Sequence, residues 1–309
     1  MHPFVPLALV AVVATPLAAQ STPPAFANFE GSQTHPICLS PSKTRLFAVS
    51  TDLGRLCVYD LANPSLPTLS AEIPVGIEPV AVAARTEDEV WVVDQVSDDV
   101  SVVSVTAGTV IDTLRTGDEP QDVVFAGGKA FVSIGGRNQV WVFDATTRAK
   151  LAQVPLDLEN PRALVVDPTG TKVYALSGLS GNHTTVVPPH LLPPPLLPDP
   201  KAALIVDSQS PPPGITIAYT VRDHDVVPID VATHVQGTPV SGVGTINLGL
   251  ACRPGTSSVY VTNTDARNLT FFEPVLRGRV VENQVTRIDL GVAPPTVTKI
   301  DLNPGFDYA

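Results

Sequence analysis

The sequence predicts an all-β chain in which a four-stranded antiparallel module is copied around an axis, a β-propeller. Three observations predict it. An aromatic residue recurs at Phe47, Trp91, Phe131, Tyr174, Tyr219 and Tyr260, with gaps of 44, 40, 43, 45 and 41 residues. Its context recurs as well: Asp167-Pro168-Thr169-Gly170-Thr171-Lys172-Val173-Tyr174 matches Arg253-Pro254-Gly255-Thr256-Ser257-Ser258-Val259-Tyr260, and Ser40-Pro41 opens the same arrangement before Phe47. Between these points the apolar residues fall in strand-length runs bounded by Gly, Pro and Asp. A period near forty with strand chemistry means small sheets that cannot bury their faces alone and stack on one another. Six repeats are detectable. The ring is then an incomplete seven-bladed one, finished beyond Ala309, or a six-bladed one closed by a strand near 25–29.

One unit spans 120–156. Residues 122–126 form a short apolar strand, Gly127-Gly128-Lys129 a tight turn, and 130–134 the second strand. Gly135-Gly136-Arg137-Asn138 turns again. Residues 139–144 alternate as the third strand, and 150–156 form the outer one. Short connections of this kind make an antiparallel meander, not a βαβ unit. Gly76-Ile77-Glu78-Pro79 and Gly117-Asp118-Glu119-Pro120 precede first strands: Gly for a sharp turn, Pro where no ladder donor is needed. Third strands end at Asp60, Asp144 and Asp230, with Ser104 in that place in the second unit. These side chains can hydrogen-bond their own turn, so their reading is structural. The innermost strands, such as Val80-Ala81-Val82-Ala83-Ala84, carry the small and β-branched residues that suit crowding at the axis, and each repeated aromatic is expected between blades.

Bulk properties narrow the class. Hydrophobic residues are 44% of the chain and charged residues 16%, which excludes disorder. The net charge of −11 and the lack of any Lys/Arg run argue against nucleic acid as a partner. The apolar stretch 4–17 followed by Ala18-Ala19-Gln20 reads as an export signal over 1–19, although it has no Lys or Arg at its start. It is short for a bilayer span, and no other segment is apolar and long enough to be one. Residues 20–309 are then the propeller of an exported protein, periplasmic or at the cell surface. Two proline-rich insertions, 188–200 and 211–213, favour polyproline II and read as exposed excursions on the fourth and fifth units, either solvated loops or docking segments. Cys38, Cys57 and Cys252 make an odd set. Each reads as a small buried hydrophobe, and Cys38 and Cys57 pair only if they lie on adjacent strands.

These repeats, with Tyr260-Val261-Thr262-Asn263 at their clearest, resemble the YVTN-repeat β-propeller family of bacterial exported proteins over about residues 34–290. The resemblance implies the fold. It implies no single activity, because that family includes binders, cell-surface proteins and accessory parts of larger enzymes. It also implies that some of the longer members are joined to a c-type cytochrome region.

Connections between the outer strand and the next inner strand, and between second and third strands, emerge on one face. They gather Glu78, Asp98, Asp99, Asp118, Glu119, Glu159, His183, Asp223, His224, Asp225 and Asp265. Asp223-His224-Asp225 is the densest group and, with His183, has ligand chemistry for a divalent cation, yet its spacing fits no metal motif; a solvated acidic rim is the alternative. The ligand-binding candidates are therefore His183, Asp223, His224, Asp225, Asp98, Asp99, Asp118 and Glu119, with no catalytic residue assigned. No nucleophile elbow, zincin helix or phosphate-cradling loop occurs, and no C-x-x-C-H exists to attach haem. His35 and His224 are possible bases without an identifiable partner. The expected function is a non-catalytic scaffold that binds a protein, glycan or small ligand on its loop face, with no cofactor in this chain. The alternatives are the propeller portion of a longer redox protein, touching a C-terminal extension or cytochrome partner and holding haem only in a further domain, and a metal-assisted lyase or hydrolase.

Overall fold

The structure is a computed structural model and describes residues 32–193, 203–217, 219–270 and 279–304. The export-signal reading of 1–19, the strand near 25–29 and the core of the first proline run lie outside the described residues.

The fold is an all-β propeller. Blade I is β1 (Ile37–Leu39), β2 (Arg45–Ser50), β3 (Arg55–Asp60) and β4 (Thr68–Pro74), paired in that order. Blade II is β5 (Pro79–Ala84), β6 (Glu89–Asp94), β7 (Asp99–Ser104) and β8 (Thr109–Arg115). Blade III is β9 (Pro120–Ala126), β10 (Lys129–Ile134), β11 (Gln139–Asp144) and β12 (Lys150–Pro155), close to the strands read from the sequence. Gly127 and Gly128 turn β9 into β10 at φ +55 and +74, the left-handed geometry a two-residue hairpin requires. Third strands end as expected: Asp144 accepts the Thr146 and Thr147 N–H groups at 2.9 and 2.7 Å, and Asp230 accepts those of Ala232 and Thr233 at 3.0 and 2.7 Å.

Blade IV departs from the plan. Its strands β13 (Glu159–Val166) and β14 (Lys172–Leu179) pair directly, but its third strand waits for residues 226–230. Between them lies an insertion, 180–225, with its own two-stranded sheet of β15 (Thr184–Val187) and β16 (Leu204–Asp207). Val187, Leu192, Val206 and Ile215 give it a small core. The third strand of the blade is β17 (Val226–Asp230), and the fourth shrinks to bridges at Gln236 and Val240. Blade V is β18 (Ile246–Cys252), β19 (Ser258–Ala266), β20 (Val281–Asp289) and β21 (Thr296–Asp301). One pair, Leu179 with Ile246, joins it to blade IV.

This corrects the repeat count. Phe47, Trp91, Phe131, Tyr174 and Tyr260 each take the third place in a second strand, whereas Tyr219 lies in no strand and is 69% exposed. The described residues therefore contain five blades, not six repeats. Both proline runs, so far as they are described, belong to the one insertion in blade IV rather than to two successive units. The cysteines are free: β2 separates Cys38 on β1 from Cys57 on β3, and two strand spacings of about 4.8 Å exceed disulfide reach.

Cores form between blades, as the period requires. Phe47 faces blade II with Leu56, Val82 and Val92. Trp91 packs into the blade III surface of Val132 and Phe143 and meets Phe125 edge-on at 5.3 Å. Phe131 faces blade IV with Val173 and Val227, and Tyr174 faces blade V with Val259 and Ile288. The five inner strands β1, β5, β9, β13 and β18 line one axial cavity of ≈ 540 Å³, walled by Ile37, Val82, Val124, Val165 and Leu250. Small and β-branched side chains there let the strands converge.

The fourth residue of the aromatic strand motif builds the loop face. In blade II it is Asp94, in blade III Ile134, in blade V Asn263. Each sits where the preceding loop would place a Cβ. A Cβ on Gly76 would come within 2.6 Å of Asp94, one on Gly117 within 2.9 Å of Ile134, and one on Gly244 within 2.7 Å of Asn263. These glycines serve close approach rather than a sharp turn. The left-handed residues beside them are Glu78 and Glu119, at φ 54 and 57.

Candidate functional site

The insertion lines two pockets on the loop face. Its two ends are pinned together, with Gly181 N–H donating to the Arg222 carbonyl at 2.8 Å. Asn182 donates from Nδ2 to the Ala266 carbonyl at 2.8 Å and so fastens the insertion to blade V. These anchors bring His183 opposite Asp223, with Nε2 to Oδ2 at 3.0 Å. Gln209 Nε2 lies 3.2 Å from His183 Nδ1, and Gly242 N–H donates to Asp223 Oδ1 at 2.8 Å. Across the opening Lys299 Nζ meets Asp265 Oδ2 at 2.5 Å. His183, Asp223, Asn182, Asp265 and Lys299 line a cavity of ≈ 270 Å³.

Asp225 underlies this pocket and is fully buried. Its oxygens accept the Val243 N–H at 2.9 Å and the Asn247 amide at 3.0 Å. Burial pushes its carboxyl up to about 6, against those hydrogen bonds, and the neighbouring Asp223 adds to the rise. Asp225 is thus a floor that orders the 242–247 loop.

A second pocket opens on the other side of the same segment. Arg222 ion-pairs with Asp157. His224 Nδ1 lies 2.8 Å from the Asp157 carbonyl and 3.3 Å from its Oδ2. Asn138 Nδ2 donates to Glu159 Oε2 at 2.8 Å. Asn138, Asp157, Glu159, Arg222 and the exposed Tyr219 line a cavity of ≈ 270 Å³.

The remaining predicted residues lie on blades II and III. Asp98 accepts the Glu119 N–H at 3.0 Å, tying one loop to the next. Asp99 is buried against Arg115 at 3.2 Å and next to Asp94. Burial pushes the Asp94 carboxyl up to about 7; the Ser101 hydroxyl, donating at 2.7 Å, opposes the rise, and Asp99 adds to it. Asp118 and Glu119 are exposed. Among the described residues no hydrogen bond or ion pair joins Asp98, Asp99, Asp118 or Glu119 to His183 or Asp223. His183 and His224 diverge into separate pairs, and no three His, Cys, Asp or Glu side chains among the described residues come together as metal ligands.

At the axis the structure supplies a partner the sequence did not reveal. His35 Nδ1 lies 2.7 Å from Oδ2 of the buried Asp122, whose oxygens also accept the Val123 and Leu164 N–H groups at 2.8 and 2.7 Å. Burial alone would lower the His35 pKa; the Asp122 carboxylate and hydrogen bonds to Asp122 and Leu250 outweigh it and raise it. Arg162 donates to the Gln33 carbonyl at 2.9 Å and the Leu248 carbonyl at 3.1 Å. Asp122 and Arg162 stand in apolar strand runs with no local motif, so only their place near the axis marks them.

With this geometry in hand, the comparisons place the chain among β-propeller proteins. It is similar to a chain of hydrazine synthase from Kuenenia stuttgartiensis, with 20% identity, a TM-score of 0.70, and coverage of 94% of this chain and 71% of that one. It is also similar to a protein of unknown function from Desulfotomaculum acetoxidans (9% identity, TM-score 0.57, covering 86% and 68%). A third likeness is to a 6-phosphogluconolactonase-like protein from Bacteroides uniformis (16% identity, TM-score 0.56, covering 85% and 69%). No protein-family model matches the sequence, and no curated protein matches it. At these identities the likeness carries the fold, and the neighbours differ in function.

Proposed function

We propose that this is an exported, non-catalytic propeller of the YVTN-repeat kind that binds a ligand on its loop face, beside the blade IV insertion. The observation that carries this reading is the pocket in which Asn182, His183, Asp223, Asp265 and Lys299 converge on a rigid scaffold. Propeller connections tolerate insertion because the sheets beneath hold their shape without them, and binding concentrates on such loops. The side chains there already satisfy one another, an arrangement suited to recognition. The apolar stretch 4–17 supports export.

The test is capture of ligands from the native host by full-length protein and by a His183→Ala/Asp223→Asn double variant. The reading expects a ligand retained by the parent and lost by the variant, with the protein in the exported fraction. Equal capture by both would defeat it.

A second reading, the propeller portion of a longer redox protein, is favoured by the likeness to the hydrazine synthase chain. It ranks second because a fold shared with proteins of different function does not select one of them. Sequencing the gene beyond Ala309 and staining the native protein for haem decide it. A stop codon there with no associated haem would remove it.

A further inference from the structure

The structure points to a chemical class for the ligand, and this inference rests on the loop-face reading. We propose that the two pockets flanking residues 219–225 are adjacent subsites for a neutral oligosaccharide, with Tyr219 as the stacking platform.

Adjacency comes from the chain itself. Arg222 lines one pocket and Asp223 the other, and consecutive Cα atoms lie about 3.8 Å apart. Each cavity measures ≈ 270 Å³, and the two share one wall. A ligand of linked, similar units fits two such subsites better than a single compact molecule does.

Neutrality comes from the partners. Asp223 already faces His183, Asp265 faces Lys299, Asp157 faces Arg222, and Glu159 accepts from Asn138. Each carboxylate already has a donor, and each pocket holds both signs of charge, so neither a bare cation nor an anion meets a set of unpartnered opposite charges. A hydroxyl group both donates and accepts, so it can bridge such a pair without breaking it. Rows of hydroxyls on a sugar suit rows of donor–acceptor pairs.

The aromatic completes the argument. Among the described residues Tyr219 is the most exposed large apolar side chain, at 69%, while the other repeat-spaced aromatics are buried or half-buried. It packs in no blade interface, so its burial cannot be what holds it in place. Its backbone is tied to β15, with Thr185 Oγ1 donating to the Tyr219 carbonyl at 2.9 Å. An aromatic ring carries a negative face that attracts the polarised C–H groups of a sugar ring. One tethered, exposed ring at the lip of a polar pocket is the arrangement such a contact needs.

The experiment is titration calorimetry of the full chain with cellohexaose, maltohexaose, xylohexaose and chitohexaose, with CaCl₂ and inorganic phosphate as ionic probes. At least one neutral oligosaccharide should bind. Tyr219→Ala should weaken it about tenfold, Tyr219→Phe should keep it, and Asp223→Asn should weaken it as well. Binding of no oligosaccharide, binding indifferent to Tyr219→Ala, or binding only of an ionic probe would overturn the assignment. The separate reading of the loop face survives in one of those outcomes. If host capture yields a protein that the His183→Ala/Asp223→Asn variant loses, while no oligosaccharide binds, the sugar assignment fails alone.

Discussion

Replacing Asp94 by Asn should stabilise this protein at alkaline pH and leave it nearly unchanged in acid. Asp94 is fully buried, accepts the Ser101 hydroxyl and stands against Asp99. Its folded pKa of about 7 lies above the ordinary 3.8, mainly because burial penalises the charge. Below about pH 4 the group is protonated in both states and contributes no difference. Between there and about 7 the unfolded chain releases the proton while the folded chain keeps it, so stability falls as pH rises. Above about 7 the whole penalty is present. The interval from 3.8 to about 7, at 1.36 kcal/mol per tenfold, sets a ceiling of about 4 kcal/mol. Asparagine is isosteric, keeps an acceptor for Ser101 and offers Asp99 a permanent N–H donor. Blade V already holds Asn263 at the same place. The expected gain is about 2–4 kcal/mol at pH 8 and under about 1 kcal/mol at pH 4. Urea unfolding followed by tryptophan fluorescence measures it, since Trp91 and Trp141 both report on the blade II–III interface. A variant less stable than the parent at pH 8, or one whose advantage does not grow with pH, would refute the reasoning.

Aromatic truncation separates repeat from insertion: Phe131→Ala should cost about 3–5 kcal/mol, whereas Tyr219→Ala should stay within about 0.5 kcal/mol, both read from urea midpoints. Gly76→Ala should cost about 1–3 kcal/mol, because the new Cβ meets the Cβ of Asp94 at 2.6 Å, and Gly117→Ala should cost less, since the Arg137 chain it meets at 2.8 Å can swing aside, leaving only the buried Ile134 Cγ2 at 2.9 Å to give way. His35→Ala should destabilise by about 1–2 kcal/mol at pH 5.5 and by less at pH 8.5. The sign follows from a folded pKa raised above 6.5, whose stabilisation is complete below that value and fades as pH rises through the folded pKa; equal losses at both pH values would contradict it.

The fold was legible because a propeller repeats its chemistry. The glycines after Ala126 that turn the chain toward Phe131 and the Asp that ends most third strands are local signals, and blade III follows them nearly residue by residue. Tyr219 shows how the same signal misleads. Tyr174 and Tyr260 are 86 residues apart, two periods, so an insertion about one repeat long fills the place of a blade. Its strands β15 and β16 pair with each other and bury a small core of their own, a distinction that periodicity does not carry. The site was half legible. His183 and Asp223 do meet, but His224 turns to Asp157, and Asp98, Asp118 and Glu119 sit on other blades.

From sequence alone follow the four-stranded module, its buried aromatic and the face on which its polar loops emerge, because strand alternation and turn chemistry act over a few residues. Only the tertiary structure decided which of those loops share a pocket, that His35 reaches Asp122 across 87 positions, and that one apparent repeat is an insertion. Those outcomes depend on contacts between residues far apart in the chain, and nothing in a local run of residues encodes which distant surface will be packed against it.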